Sequence, residues 1–256
     1  MGHWYDKEGK PQHFTNGRAS TLRDARKHNW YPSVTGILDT IDKPGLNRWK
    51  EQQVLLAALT LPKIENEPLD QFSKRVMADA FVESSEARDK GSEIHDSIES
   101  VWLGAEPEKH AGIAHKTVNA VIEYCDTDDF IPEKTVVGDG YGGKIDLHND
   151  DFVIDYKGKD ITDKQWDDYQ NKKNPRLAYP EMCMQLSAYD RALGGFKIRK
   201  LINVFVDRNI AGKVIIHKWA HEDTVIAYKK FELLVKYWQL TKNYSPNIVS
   251  VNNNYE

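Results

Sequence analysis

Cysteine is almost missing from this sequence: Cys125 and Cys183 are the two in 256 residues. Two thiols exclude a disulfide framework and any four-cysteine zinc or iron–sulfur site, so each reads as a small buried or half-buried apolar residue. Long apolar runs are missing too, and no stretch approaches the roughly 20 residues that span a bilayer. The opening Met1-Gly2-His3-Trp4-Tyr5-Asp6 has no basic-then-apolar leader pattern, and Asp6 spoils the lipidation signal that Met-Gly could begin. Neither a low-complexity tract nor an internal repeat is visible. A Gly-rich phosphate loop is also lacking, which argues against a small-molecule phosphohydrolase. These absences predict a soluble, cytoplasmic protein with no membrane partner.

A large excess of one charge is missing as well. The net charge is −4, so nothing global announces a polyanionic partner, although charge footprints are local. From Lys157 to Lys200 ten basic residues face six acidic ones. That run is either a basic patch or an ordinary solvated surface. What is present is an ordinary globular composition, 40 % apolar and 29 % charged, long enough to bury one full core.

Periodicity divides the chain. The first thirty residues are polar and read as irregular structure or a short hairpin. Pro32-Ser33-Val34-Thr35 opens a helix through Leu38, with Ser or Thr as cap. Lys43-Pro44-Gly45 breaks it, and Leu46–Leu59 resumes with Trp49, Val54, Leu55 and Ala58 on one side. Asp79–Leu103 carries the stripe Ile94, Ile98, Val101, Trp102, interrupted by Gly91, which implies a close approach or a break there. Ala114–Tyr124 is a third helix. The period then changes: Glu133–Val137, Lys144–Leu147 and Phe152–Tyr156 are short β-branched or aromatic runs bounded by Gly, Asn and Asp. Tyr179–Leu193 is helical, closed by Gly194-Gly195. Leu201–Val206 and Val214–Trp219 are strands, and Asp223–Leu240 is a last helix. This order predicts an α/β or α+β fold with a mixed sheet.

The hairpin from Gly142 to Lys157 carries the chemistry. A two-residue loop at Asp150-Asp151 sets Asp146 opposite Asp155; a loop at Asn149-Asp150 sets Val153 there instead, with Asp155 still on the same face. Lys157, two residues further, joins that face. The other face is Ile145, Leu147, Ile154 and Tyr156. Neighbouring carboxylates repel, so such a site asks for a cation, and oxygen ligands select Mg²⁺ or Mn²⁺. A lysine beside the metal can position water and neutralise charge in phosphodiester hydrolysis. The competing reading is a surface hairpin with an ordinary cross-strand ion pair. Val153 and Ile154 beside Asp155 favour a central strand, where a carboxylate needs a partner.

Gly143-Lys144-Ile145-Asp146, Asp155-Tyr156-Lys157 and Gln185-Leu186-Ser187-Ala188-Tyr189 resemble the G-x-x-D, D-x-K and Q-x-x-x-Y succession of RecB-like exonucleases in the PD-(D/E)-x-K superfamily. Gly91-Ser92-Glu93-Ile94-His95 resembles the G-x-x-x-H helix motif of that group. Tyr31-Pro32-Ser33-Val34-Thr35, with Lys43-Pro44, Leu46 and Trp49, is similar to phage-encoded members and to the mitochondrial genome maintenance exonuclease. The resemblance spans roughly positions 30 to 220; each motif alone is weak, and four in order is a strong signal.

It implies a restriction-endonuclease-like mixed central sheet flanked by helices, with a helical N-terminal region. The expected organisation is a single nuclease domain over 1–256: a mainly helical N-terminal region over 1–125, a catalytic core over 126–243 and a tail over 244–256. It implies His95, Asp146, Asp155 and the Tyr156 carbonyl as ligands of Mg²⁺ or Mn²⁺, and Lys157 in the catalytic role. Gln185, Tyr189 and Glu133 follow as further catalytic candidates. Gly158 stands where relatives usually carry Thr or Ser, which puts one phosphate contact in doubt, and the cysteines of cluster-bearing relatives are absent.

Several residues carry a second reading. Tyr189 could be a core aromatic and Gln185 its solvated neighbour. Lys172, Lys173 and Arg176 could contact a phosphate backbone, and Trp166 and Tyr169 could stack on bases or pack in the core. Trp49, Trp102, Trp219 and Trp238 read as core. The expectation is a metal-dependent DNA exonuclease of phage recombination or DNA processing, acting on single- or double-stranded ends beside possible recombination proteins. Its alternatives are an endonuclease of the same fold and a silent DNA-binding accessory module.

Overall fold

The computed structural model describes residues 3–194 and 198–246. In chain order the elements begin with β1 (Trp4–Tyr5), the hairpin β2 (Phe14–Thr15) and β3 (Arg18–Ala19), α1 (Leu22–His28), β4 (Tyr31–Pro32) and α2 (Val34–Leu38). Then come α3 (Pro44–Thr60), α4 (Leu69–Asp79), α5 (Val82–Trp102) and α6 (Ala111–Cys125). The core follows as β5 (Ile131–Gly138), β6 (Tyr141–His148), β7 (Phe152–Lys159), α7 (Asp163–Gln170), α8 (Pro180–Leu193), β8 (Lys200–Asp207), β9 (Val214–Lys218) and α9 (His221–Lys242). Gly195 and residues 247–256 of the expected tail lie outside the described residues.

The five long strands form one sheet in the order β5-β6-β7-β8-β9. All neighbours are antiparallel except β7 and β8, which run parallel through a crossover containing α7 and α8. The protein is therefore α/β with a mixed, helix-flanked sheet. Alternating side chains feed two layers. Val153 of β7 and Leu201 of β8 pack with α2, α8 and α9, whereas Ile154, Tyr156, Ile202, Val204 and Val206 pack with α5 and α6. α8 is central, with seven consecutive buried residues from Cys183 to Tyr189. Among the described residues no helix is long and apolar enough to cross a membrane.

Helix starts follow local chemistry. The Ser33 hydroxyl caps α2 by accepting from the Gly36 amide at 2.9 Å. Pro44 does not break α3 but opens it, since a first-turn position needs no amide donor. The expected stripe on α3 is not buried: Trp49 is half-exposed and Leu55 and Ala58 are exposed, because α3 packs mainly on α4 rather than on the sheet. Trp238 is buried as expected, and Trp102 and Trp219 are half-buried. Three helices escaped the reading of the pattern, the first being α1 inside the polar stretch expected to be irregular or a short hairpin. α4 carries Leu69, Phe72 and Val76 at helical spacing, and α7 opens on a capping box in which Thr162 and Gln165 satisfy each other's backbone amides.

Candidate active site

The hairpin turn is Asp150-Asp151, since His148 pairs with Val153 and Leu147 with Ile154. The Asn149 side chain closes it, accepting from the amides of Asp151 and Phe152, both at 2.9 Å. The β6–β7 ladder consists of those two pairs. At the next step Asp146 takes over with its side chain, and its Oδ2 accepts from the Tyr156 amide at 2.8 Å.

The expected far face of the hairpin is corrected at this point. Tyr141 and Ile145 pack in the layer of α8 and α9, but Leu147 packs in the layer of α5 and α6. Alternation along β6 thus slips by one between Ile145 and Leu147, so these two do not back Asp146 together. Across from the slip, Glu133 of β5 has φ of +57°. A local irregularity of this kind re-aims a side chain beside a site. Here it turns Asp146 into the splay between β6 and β7.

Asp155 occupies the other wall. Its side chain is 3 % exposed, and three side chains donate to it. Lys157 Nζ lies 2.8 Å from Oδ1, Gln185 Nε2 2.9 Å from Oδ1, and Asn203 Nδ2 2.8 Å from Oδ2. Asn203 is fully buried and its own Oδ1 accepts from Trp219 Nε1 at 2.8 Å. Burial pushes the Asp155 carboxyl up from the ordinary range; the Lys157 ammonium opposes this and Asp146 adds to it. Burial pulls Lys157 down, but Asp155 and Asp146 together outweigh it and hold the ammonium above the usual lysine value.

His95 reaches the same place from α5. Its Nε2 donates to the Tyr156 carbonyl at 2.9 Å, which directs Nδ1 toward Asp146 Oδ2, 3.6 Å away. The Tyr156 carbonyl, expected as a ligand, is thus the group that orients the imidazole. The Tyr156 ring points to the opposite layer, where its hydroxyl accepts from Trp102 at 3.0 Å.

His95, Asp146, Asp155, Tyr156, Lys157 and Gln185 line one cleft of about 440 Å³ together with Lys144, Tyr189 and Arg208, and Asn203 stands behind its wall. Gln185 is buried, not solvated. Its Oε1 accepts from Lys157 at 3.3 Å and its Nε2 also reaches the Tyr189 hydroxyl at 3.3 Å. The Tyr189 ring presses on Gly143, where a Cβ would sit 2.4 Å from Cε1, so glycine is required there. Glu133 does not line the cleft; its carboxylate pairs with Lys144, which does. Trp166 and Tyr169 stand on α7, not in a loop, and pack against Phe205 and Ile215. Their core reading is the observed one. Lys172, Lys173 and Arg176 are exposed on the segment between α7 and α8.

Among the described residues no three carboxylate, imidazole or thiol side chains converge into a ready-made metal cage. The donor chemistry nevertheless fits a divalent cation on the Asp146 side, where an oxygen and an imidazole nitrogen face each other at 3.6 Å without sharing a hydrogen bond. On the Asp155 side, Lys157 supplies the positive charge.

Asn203, Trp219 and Arg208 were not found from sequence. Asn203 arrives because β8 runs parallel to β7 in a register that sets it beside Asp155. A polar Asn inside the apolar run Leu201–Val206 was the signal available. α5 runs unbroken through Gly91, where an added Cβ would meet open space; the close approach is at Gly158, where a Cβ would lie 3.3 Å from the Gly91 Cα and 3.4 Å from Arg208 Cγ. That packing explains why a larger residue is missing after Lys157. No family model matches the chain, and no curated protein matches it.

Proposed function

We propose that the protein is a Mg²⁺- or Mn²⁺-dependent DNA exonuclease with a restriction-endonuclease-like core. The observation that carries this reading is the buried Asp155–Lys157–Gln185–Asn203 network set against Asp146 and His95 in one cleft. A buried carboxylate is costly unless it is paired and hydrogen-bonded, and perturbed charged groups in a cleft mark functional sites.

Asp146 and His95, with Asp155 as the further expected ligand, are the side chains that would hold the cation, which would supply Lewis acidity toward the phosphodiester. The chain's own groups do the rest. Tyr156, through its amide and carbonyl, fixes Asp146 and His95. Asn203 and Gln185 hold Asp155, and Asp155 holds the Lys157 ammonium at the cleft wall. Lys157 is placed to donate to the attacking water or a phosphate oxygen and to offset charge that builds at phosphorus. Arg208, kept in place by Asp160 and the Ala87 carbonyl, adds a second positive charge to the same cleft.

The test is digestion of end-labelled linear DNA and covalently closed circles with Mn²⁺, comparing wild type with Lys157→Ala and Asp146→Asn. Wild type should shorten the linear DNA from its ends and spare the circles, and both variants should lose at least about a hundredfold in rate, as expected when a preorganised donor is removed. Undiminished digestion by the variants sinks the mechanism. Cutting of circles would transfer the reading to an endonuclease of the same fold.

A further inference from the structure

One cation beside the cleft, Lys159, is without an ion pair among the described residues. Lys159 lies two residues beyond Lys157 on the same face of β7, roughly 6.6 Å along the strand. It is half-buried, and among the described residues its ammonium forms no salt bridge or side-chain hydrogen bond. The nearby Asp160 is engaged by both arms of Arg208, at 3.0 and 2.5 Å, and Glu181 makes no ion pair with it. Burial, and then the charges of Arg208 and Lys157, push the Lys159 ammonium below its usual value, outweighing the opposing charges of Asp160 and Glu181. Lys157 and Arg208 already hold carboxylates, so it is the half-buried Lys159 that asks for an anion.

What Lys159 does touch is an aromatic ring. Its Nζ lies 5.8 Å from the centroid of Tyr179, which is 49 % exposed. Tyr179 is held firmly, as the residue before α8 with Pro180 in the first turn behind it and its carbonyl accepting from the Met182 amide at 2.9 Å. The other aromatics of this region, Trp166 and Tyr169, are committed to packing. The segment running into Tyr179 carries Lys172, Lys173 and Arg176, all exposed.

We infer that Lys159 and Tyr179 form a nucleotide subsite for single-stranded DNA, adjoining the cleft, in which the ammonium takes a phosphate and the ring takes an unpaired base. The inference rests on the nuclease reading for its substrate but names what that reading leaves open, the strandedness of the end. Two cations in a row along β7 follow a chain of phosphates, which alone carries no preference. The half-exposed ring supplies the preference, because an unpaired base offers a free face and a base inside a duplex does not.

Fluorescence anisotropy in EDTA tests this, using a labelled mixed-sequence single strand and the blunt duplex of the same sequence. Tyr179→Ala should lower the ratio of single-strand to duplex affinity about tenfold, the size expected for one stacked base. Tyr179→Trp should restore the ratio, which also shows that the position tolerates change without unfolding. Lys159→Ala should reduce the salt dependence of single-strand binding by about 0.7 in log–log slope. An unchanged ratio in Tyr179→Ala, an equal loss for both DNAs, or a wild type that binds no single strand overturns the inference. Because binding is read without divalent ions, the two readings fail separately. Binding that depends on Tyr179 without digestion in Mn²⁺ keeps the subsite and sinks the nuclease. Digestion with a ratio indifferent to Tyr179 does the reverse.

Discussion

The two carboxylates of the cleft sit on neighbouring strands and meet different surroundings. Asp155 is enclosed: its side chain is 3 % exposed and held by three other side chains from β7, α8 and β8. Asp146 is 15 % exposed, held by one backbone amide and faced by an imidazole. The β7 half therefore bears more on stability, because stripping a buried charge of its partners costs far more than disturbing one that water reaches. The β6 half is the one that solvent reaches.

That contrast breaks most visibly at Lys157. Lys157→Ala leaves Asp155 buried without its cation and should cost about 3 kcal/mol in urea unfolding. Adding Asp155→Asn to a Lys157→Met background should recover most of that loss while leaving DNA digestion absent. A double variant as unstable as Lys157→Ala would mean that the charge pair is not what the enclosed half depends on. Next in size is Asn203→Ala, which removes one donor from Asp155 and strands the Trp219 indole N–H. A cost of about 2 kcal/mol is expected, with digestion reduced. A change below ~0.5 kcal/mol would show that water replaces the amide. Smallest in stability is Asp146→Asn, within about 0.5 kcal/mol of wild type. Its signature lies elsewhere: wild type should gain thermal stability on adding Mn²⁺, and Asp146→Asn should not. An equal Mn²⁺ shift in both proteins would remove Asp146 from the cation site.

Much of the enclosed half was legible in the sequence. Asp155 and Lys157 share a face because a strand repeats every two residues, and Gln185 and Tyr189 share one because a helix turn spans four. The open half was legible only to a degree. Counting by twos along β6 put Ile145 and Leu147 on one side, and the slip at Asp146 put them in opposite layers. Nothing in Lys144-Ile145-Asp146-Leu147 announces that slip, since it is imposed across the ladder where Glu133 takes φ of +57°. The misplaced stripe on α3 has the same origin. Its apolar residues satisfy helical spacing, yet which of them is covered depends on a neighbour the spacing does not name.

By itself, then, the sequence determined most of the long elements, the mixed sheet, a two-residue turn at one of two neighbouring positions and the shared face of Asp155 and Lys157. These follow from periodicity and turn chemistry, which act between residues close along the chain. Only the tertiary structure decided that Asn203 and Trp219 lock Asp155, that His95 is aimed at Asp146 by the Tyr156 carbonyl, and that Tyr179 rather than Trp166 is the ring left half-exposed. Those outcomes depend on parallel register and on which surface each layer covers. Both are settled by burial and hydrogen-bond satisfaction between residues tens of positions apart.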